Sequence, residues 1–437
     1  MNLFWKKVFG SLASTAKFEA NEKKLLEAMH RYDEVEKSAE LEEYKALALI
    51  VKSSQFQEKK KTLQNRKYKD TEEYRNTKKL HKLESNPDIK RYYSVVKSDI
   101  LKQYLTFKAG PNFEQLRDKE TVQKSDKLQQ LKQFEKSKDY KTYARFHDSY
   151  IIKELEELKK TVSDPKFVEA NKFWSNDKRW YSTLEYVKEQ RYYQLAKNQD
   201  IVFYNKQNPE TFKDYRALTQ TLNEEFEYNT MAKSLWVFGF QYKNSNLIGQ
   251  HSFANEKQAY SFGKNTGVED GVLKISTKNE KTIARAWDAT KGFLEKEFHF
   301  TSDVLNTAKA FRQKEGIFSV KLRCSGNIHH AFWLGGDDKL PHINIFHYNG
   351  KQITLGNANE NVVDGINITG INPSQFYIYT LKWTTKELIW FVNNLEVYRT
   401  SNQVPQENMY VGINSFISEK QKGSTGFIEI DWIRVYK

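Results

Sequence analysis

The sequence predicts a multidomain α plus β protein: an elongated α-helical array or bundle over residues 1–230 and an antiparallel β-sandwich over residues 231–437. Glycine carries the division. Gly10 and Gly110 are the only glycines before Met231, and the other 17 of 19 fall between Gly239 and Gly426. Glycine supplies the positive-φ turns that sheets need and weakens helix interiors. Apolar periodicity agrees, with helical spacing in the first half and short β-branched and aromatic runs in the second. A chain of 437 residues has length for two separate cores.

In the helical half, Leu25, Met29, Tyr32 and Val35 recur at helical spacing, as do Leu128, Leu131 and Phe134 with Tyr140 beyond. Pro87, Pro111, Pro165 and Pro209 each follow Asn, Gly or Asp, the pattern of a helix stopping and the next beginning with proline in its first turn. A weak motif recurs: Ser or Asn, an acid in the first turn, then an aromatic. Its instances are Ser38/Glu40/Tyr44, Ser85/Asp88/Tyr92, Ser98/Asp99/Tyr104, Ser137/Asp139/Tyr143, Asn198/Asp200/Tyr204 and Asn208/Glu210/Tyr215. Its physical content is an N-cap, a charge complementing the helix dipole and a core-facing ring two turns in. The intervals are irregular, so stacked hairpins and a long bundle both remain open.

Doublets such as Tyr92-Tyr93, Phe173-Trp174, Trp180-Tyr181 and Tyr192-Tyr193 stand near Lys or Arg. Such rings can stack on nucleic acid, but packing between helices with hydroxyls at the surface is the plainer reading. A nucleic-acid partner is therefore not expected. The net charge of +14 divides as +9 over residues 1–230 and +5 over the rest, with signs interspersed, which describes solvated helix faces rather than a polybasic tail. This half offers no catalytic constellation or phosphate loop, and spacing, oligomerisation or docking to a protein partner is its expected work.

Cys324 is the only cysteine, which excludes an internal disulfide and a multi-cysteine zinc site. No apolar run reaches the length of a membrane span, and the opening Met1–Gly10 stretch lacks a continuous apolar core after its lysines. Neither a transmembrane segment nor a secretion signal is expected. The cytoplasm is then the default location, with a virion or surface association as the alternative. Trp5, Phe9 and the lysines between them could form an interfacial foot; a short turn burying its aromatics on the next helix is the expected arrangement.

After residue 230 the β-prone runs include Val272–Thr277, Ile317–Arg323, Tyr377–Trp383 and Leu388–Val392, the last turning at Asn393-Asn394 into Glu396–Tyr398. Four stretches here resemble glycoside hydrolase family 16, the laminarinase and lichenase group. They are Val268–Ile275, Gly316–Leu322 leading to Ala331-Phe332-Trp333-Leu334, Tyr379–Trp383, and the closing Ile430–Tyr436. The resemblance implies a concanavalin A-like jelly roll across this whole half.

In that family the active strand follows Ala-Phe-Trp-Leu and carries Glu-x-Asp-x-x-Glu or the same less one residue. The corresponding stretch here is Pro341–Tyr348. A retaining mechanism needs one carboxylate as nucleophile and another as acid/base. By the resemblance His342 stands at the nucleophile, Asn344 at the helper aspartate and His347 at the acid/base, so all three charges are gone. Alternation and a bulge would put these side chains on one face. Asp337 and Asp338 in the preceding loop are the nearest acids, and adjacent loop residues point in different directions.

No catalytic residues are therefore assigned, and the expected site is a sugar-binding face of Trp333, His342, Asn344 and His347, with His330 and Tyr348 near the rims. No cofactor is expected. The histidine cluster lacks a carboxylate or thiolate for zinc or copper, and Asp270 and Asp431 mark positions where jelly rolls sometimes hold a structural Ca2+ without any spacing that demands it. The functional expectation is a non-catalytic carbohydrate-binding module on a helical stalk. The alternatives are a protein-interaction scaffold with a vestigial cleft and a β-glucan endohydrolase with relocated acids.

Overall fold

The computed structural model describes residues 1–227, 230–241, 251–337, 340–359 and 362–437. Contacts divide the chain into a helical unit, Tyr32–Gln207, and a sandwich unit made of Met1–Arg31 with Asn208–Lys437. A boundary at residue 230 thus differs from the contact division. Gln220–Glu224 is already a strand, antiparallel to Gly426–Tyr436, and Leu3 and Leu12 lie in the sandwich core.

The helical unit is built as a succession of capped helices. Ser38, Ser98, Ser137 and Asn198 each accept a backbone N–H from the first turn of the helix they precede, which satisfies donors that no helix satisfies internally. At the second motif instance the cap is Asn86 rather than Ser85, because Ser85 ends the preceding helix. Pro87 and Pro165 open their helices and Pro209 opens a single turn in the sandwich unit, while Pro111 lies in a turn.

The motif rings point inward: Tyr92, Tyr104 and Tyr143 are buried in one cluster, and Tyr44 stacks on Tyr192 at 5.4 Å in another. The aromatic doublets split, with Trp180 and Tyr192 buried and Tyr181 and Tyr193 exposed. Buried Arg179 donates from its two terminal nitrogens to the carbonyls of Trp174, Asn176 and Arg66, the pairing a buried cation requires, while its Nε is buried without a partner.

The sandwich unit is an antiparallel β-sandwich of jelly-roll type. One sheet runs Leu395–Thr400, Leu388–Val392, Tyr377–Trp383, Gly316–Ser325, Gly426–Tyr436, Val272–Asp288, Gly292–Ser302 and Gln258–Tyr260. The other runs Val362–Ile368, Ile353–Asn359, His342–Asn349, His329–Gly335, Tyr410–Phe416, Val304–Asn306 and Val237–Phe238. Parallel pairing occurs where Ser252–Phe253 and Gln258–Tyr260 join the long hairpin strands and at the single bridge between Asn2 and Thr369. Alternate side chains of the two sheets, including Phe318, Val320, Leu322, Phe332, Leu334, Ile343 and Ile345, fill the space between them. Such a period of two leaves the other set on the outer faces.

Candidate functional site

Two neighbouring strands make the floor of the site. Phe332 and Leu334 of His329–Gly335, and Ile343 and Ile345 of His342–Asn349, point into the sandwich core. Their alternates Ala331, Trp333, Gly335, His342 and Asn344 therefore face the other way, into a cavity of about 950 Å³. Strict alternation would turn His347 toward the core, but Phe346 is the core residue there and a register irregularity between Asn344 and His347 returns His347 to the cavity. A bulge does this by adding one residue to the strand.

Trp333 lies across its neighbouring strand, opposite Gly412. A Cβ at Gly412 would sit 2.3 Å from the indole ring, so only glycine leaves room. The indole donates from Nε1 to Asn414 Oδ1 at 3.0 Å, and its ring centroid is 5.2 Å from His342 and 5.7 Å from Tyr410. His342 Nε2 donates to Asn344 Oδ1 at 2.9 Å. His347 Nε2 and His329 Nδ1 share a hydrogen bond of 2.9 Å, and His329 stacks on Phe416 at 4.3 Å.

The walls come from elsewhere in the sequence. The long hairpin Val272–Asp288/Gly292–Ser302 brings Trp287 and Phe293 to the cavity, paired across its tip with ring centroids 4.8 Å apart. Its turn is closed by Asp288 Oδ1, which accepts from the backbone N–H groups of Thr290 and Lys291 and the Thr290 hydroxyl, an Asx turn. Beside it runs a strap carrying His251, Phe253 and Glu256, held where Ala254 N–H donates to Trp287 O at 2.9 Å and Lys296 Nζ donates to Glu256 O at 3.0 Å. Glu256 accepts from the Tyr260 hydroxyl at 3.0 Å and from Gln258 Nε2 at 2.5 Å.

Burial sets the protonation of this region. It holds His347 down at about 4, with His329 and His342 adding unfavourable charge, and lowers His342 and His329 in the same direction. The floor imidazoles are therefore neutral near pH 7, able to donate from one nitrogen and accept at the other. Burial raises Glu256 to about 7 against the opposing hydrogen bonds of Tyr260 and Gln258 and the charge of Lys296. Glu256 and Asp288 are the acids lining the cavity, and no Lys or Arg lines it among the described residues.

Four of the six residues expected from sequence, Trp333, His342, Asn344 and His347, are brought together here. His330 and Tyr348 are not. They pair across the two floor strands on the core side, with rings 6.4 Å apart, and His330 is bonded to Ser415 Oγ at 2.8 Å and Ser325 O at 3.0 Å. Parity explains both: His330 shares the phase of Phe332, and the irregularity that turns His347 outward turns Tyr348 inward. Asp337 is ion-paired with Arg312 and does not line the cavity, and Asp338 lies outside the described residues. Asp431 is engaged with Lys321 Nζ at 2.7 Å.

Sequence reasoning missed the walls. Glu256, Trp287, Phe293 and Asn414 reach the cavity through long-range pairing that no local pattern announces. The one available signal was the unusual length of the β-prone stretch from Val272 to Ser302, which implies a ribbon reaching past the sheet.

Residues 331–434 match the family model described as Glycosyl hydrolases family 16, a span that includes the floor strand His342–Asn349 and its neighbour from Ala331 onward. No curated protein matches the chain. Solved structures similar to it include the catalytic domain of an endo-1,3-beta-glucanase (laminarinase) from Thermotoga petrophila RKU-1, 17% identical, covering 50% of this chain and 98% of that one with a TM-score of 0.41. LamAcat from Zobellia galactanivorans is 22% identical over 50% and 98% of the two chains, with a TM-score of 0.40. An endo-beta-1,3-glucanase from Pyrococcus furiosus is 16% identical over 50% and 94%, with a TM-score of 0.41.

Proposed function

We propose that this cavity binds a glycan and leaves its glycosidic bonds intact. The observation that carries the proposal is the floor itself: Trp333, His342, Asn344 and His347 share one face of a cavity of about 950 Å³ without a carboxylate among them. Ligand pockets are typically roughly 300–1,000 Å³ and combine aromatic surface with a few oriented polar groups. Rings such as Trp287 and Phe293 offer stacking area to sugar faces, while the amide and the neutral imidazoles offer donors and acceptors to hydroxyls. A floor so composed has no nucleophile for a covalent glycosyl intermediate. A filled cleft would have favoured a protein scaffold; a cavity of this size favours a binder.

A second reading is favoured by Glu256, an acid in the cavity wall raised to about 7, the range of a proton donor at neutral pH. With Asp288 lining the same cavity, it makes a hydrolase with relocated acids the competing assignment. Calorimetric titration with laminarin and mixed-linkage glucan oligosaccharides, alongside reducing-sugar release from the polymers, separates the two. The expected result is saturable binding without release, with Trp287→Ala weakening it about tenfold, ~1.4 kcal/mol. Release abolished by Glu256→Gln would install the second reading, and absence of binding to any of a broad glycan panel would remove the first.

A further inference from the structure

The N-terminal segment is clamped to the sandwich while its largest side chains face water. Leu3 and Leu12 are buried in the core, Leu3 N–H donates to Thr369 O at 2.8 Å, and Thr369 N–H donates to Met1 O at 2.9 Å. Gly370, at φ +84, makes the fit: a Cβ there would fall 2.1 Å from Asn2 Oδ1 and 2.5 Å from Phe4 N. Between the two anchors runs the helix Phe4–Val8, closed by Gly10 at φ +75 and by Leu12 N–H donating to Lys6 O at 2.8 Å.

On this clamped helix Phe4, Trp5, Val8 and Phe9 are 50%, 59%, 56% and 76% exposed. The expected burial of Trp5 and Phe9 against a following helix does not occur. Positions four apart, as Phe4 and Val8 or Trp5 and Phe9, share a helix face, and the rings touch: Phe4 meets Trp5 edge-on at 5.2 Å and Trp5 stacks with Phe9 at 5.7 Å. Leaving such side chains in water forgoes ~1.5–3 kcal/mol for each fully buried one, although a core lies within reach of their neighbours Leu3 and Leu12.

We infer that Phe4, Trp5, Val8 and Phe9 dock the protein on the surface of an anionic lipid bilayer, with Lys6 and Lys7 meeting the headgroups. Charge selects this occupant. The first eighteen residues hold Lys6, Lys7 and Lys17 and no acid, on a protein of net charge +14. Basic residues flanking an aromatic face are what an interfacial helix needs, apolar rings at the acyl boundary and ammonium groups in the headgroup layer. Surface attachment also fits the lengths present, since no helix among the described residues is long and apolar enough to cross a membrane. The inference is independent of what the cavity binds.

The test is co-sedimentation of the full chain with vesicles of phosphatidylcholine alone and of phosphatidylcholine containing about a third phosphatidylglycerol. Wild type is expected to pellet with the anionic vesicles and to be released by salt. Trp5→Ser with Phe9→Ser should weaken binding about tenfold or more, and Lys6→Gln with Lys7→Gln about fivefold per lysine. All four side chains are exposed or surface-facing, so the urea midpoint should not move and lost binding is not lost folding. Failure of wild type to pellet with anionic vesicles, or equal pelleting by both double variants, overturns the inference. So does wild-type self-association that the Trp5/Phe9 variant abolishes without vesicle binding, which would make the patch a protein interface.

Discussion

Glu256 is pulled in two directions by its surroundings. Burial favours the neutral acid, while the Tyr260 hydroxyl, Gln258 and Lys296 favour the carboxylate, and burial wins by raising it from 4.5 to about 7. The consequence for stability has a definite sign. Below pH 4.5 both the folded and unfolded states hold the proton, and as pH rises the unfolded chain ionises first, so stability is lost up to about pH 7 and stays lost above it. Glu256→Gln keeps the shape and removes the charge. It should therefore stabilise the sandwich by about 3 kcal/mol at pH 8 and by little at pH 4, read as the difference in urea unfolding free energy. A variant no more stable than wild type at pH 8 would show that the neighbours, and not burial, govern this acid.

At the scale of elements, what the sequence made legible and what it hid divide along physical lines. The floor strand was readable because a period of two and a bulge are local properties: His342, Asn344 and His347 do line one cavity. The capped helices were readable for the same reason, and the slip from Ser85 to Asn86 is one residue in a run where either side chain can accept an N–H. The walls were hidden because the pairing of Ser252–Phe253 with Ala286–Trp287 is fixed by tertiary geometry. His330 and Tyr348 face the core because strand phase, not nearness in sequence, decides the face a side chain takes. The Trp333–Gly412 crossing leaves no room for a side chain at 412. Gly412→Ala should push the indole from its place over the neighbouring strand, costing about 1–3 kcal/mol of stability and weakening glycan binding together with the Trp333–Asn414 hydrogen bond. Chemical denaturation and calorimetric titration of the same variant measure both, and unaltered binding would mean the indole does not form part of the ligand's bed.

At the scale of the molecule the helical and sandwich units have separate clusters of buried side chains, so unfolding need not be a single transition. Burial opposes the protonation of His329, His330, His342 and His347 in the sandwich. His330 is lowered to about 3 and His347 to about 4. Below pH ~6.5 the unfolded chain takes up protons that the folded sandwich refuses, so each such histidine removes stability as pH falls, His330 and His347 at about 1.4 kcal/mol per pH unit. The loss for His347 stops near pH 4, where the folded ring is protonated too. Glu256 acts in the opposite sense between 4.5 and about 7 and cancels one histidine over most of that interval. His330 and His347 together outweigh it, and the sandwich transition should weaken by about 1.4 kcal/mol per unit as pH drops from ~6.5 toward ~4.5. His347→Gln should reduce that slope by one group's worth and Glu256→Gln should raise it by the same amount. Urea titrations followed by tryptophan fluorescence at several pH values measure the three slopes, and a wild-type sandwich equally stable across the interval would contradict the buried, neutral state assigned to these rings.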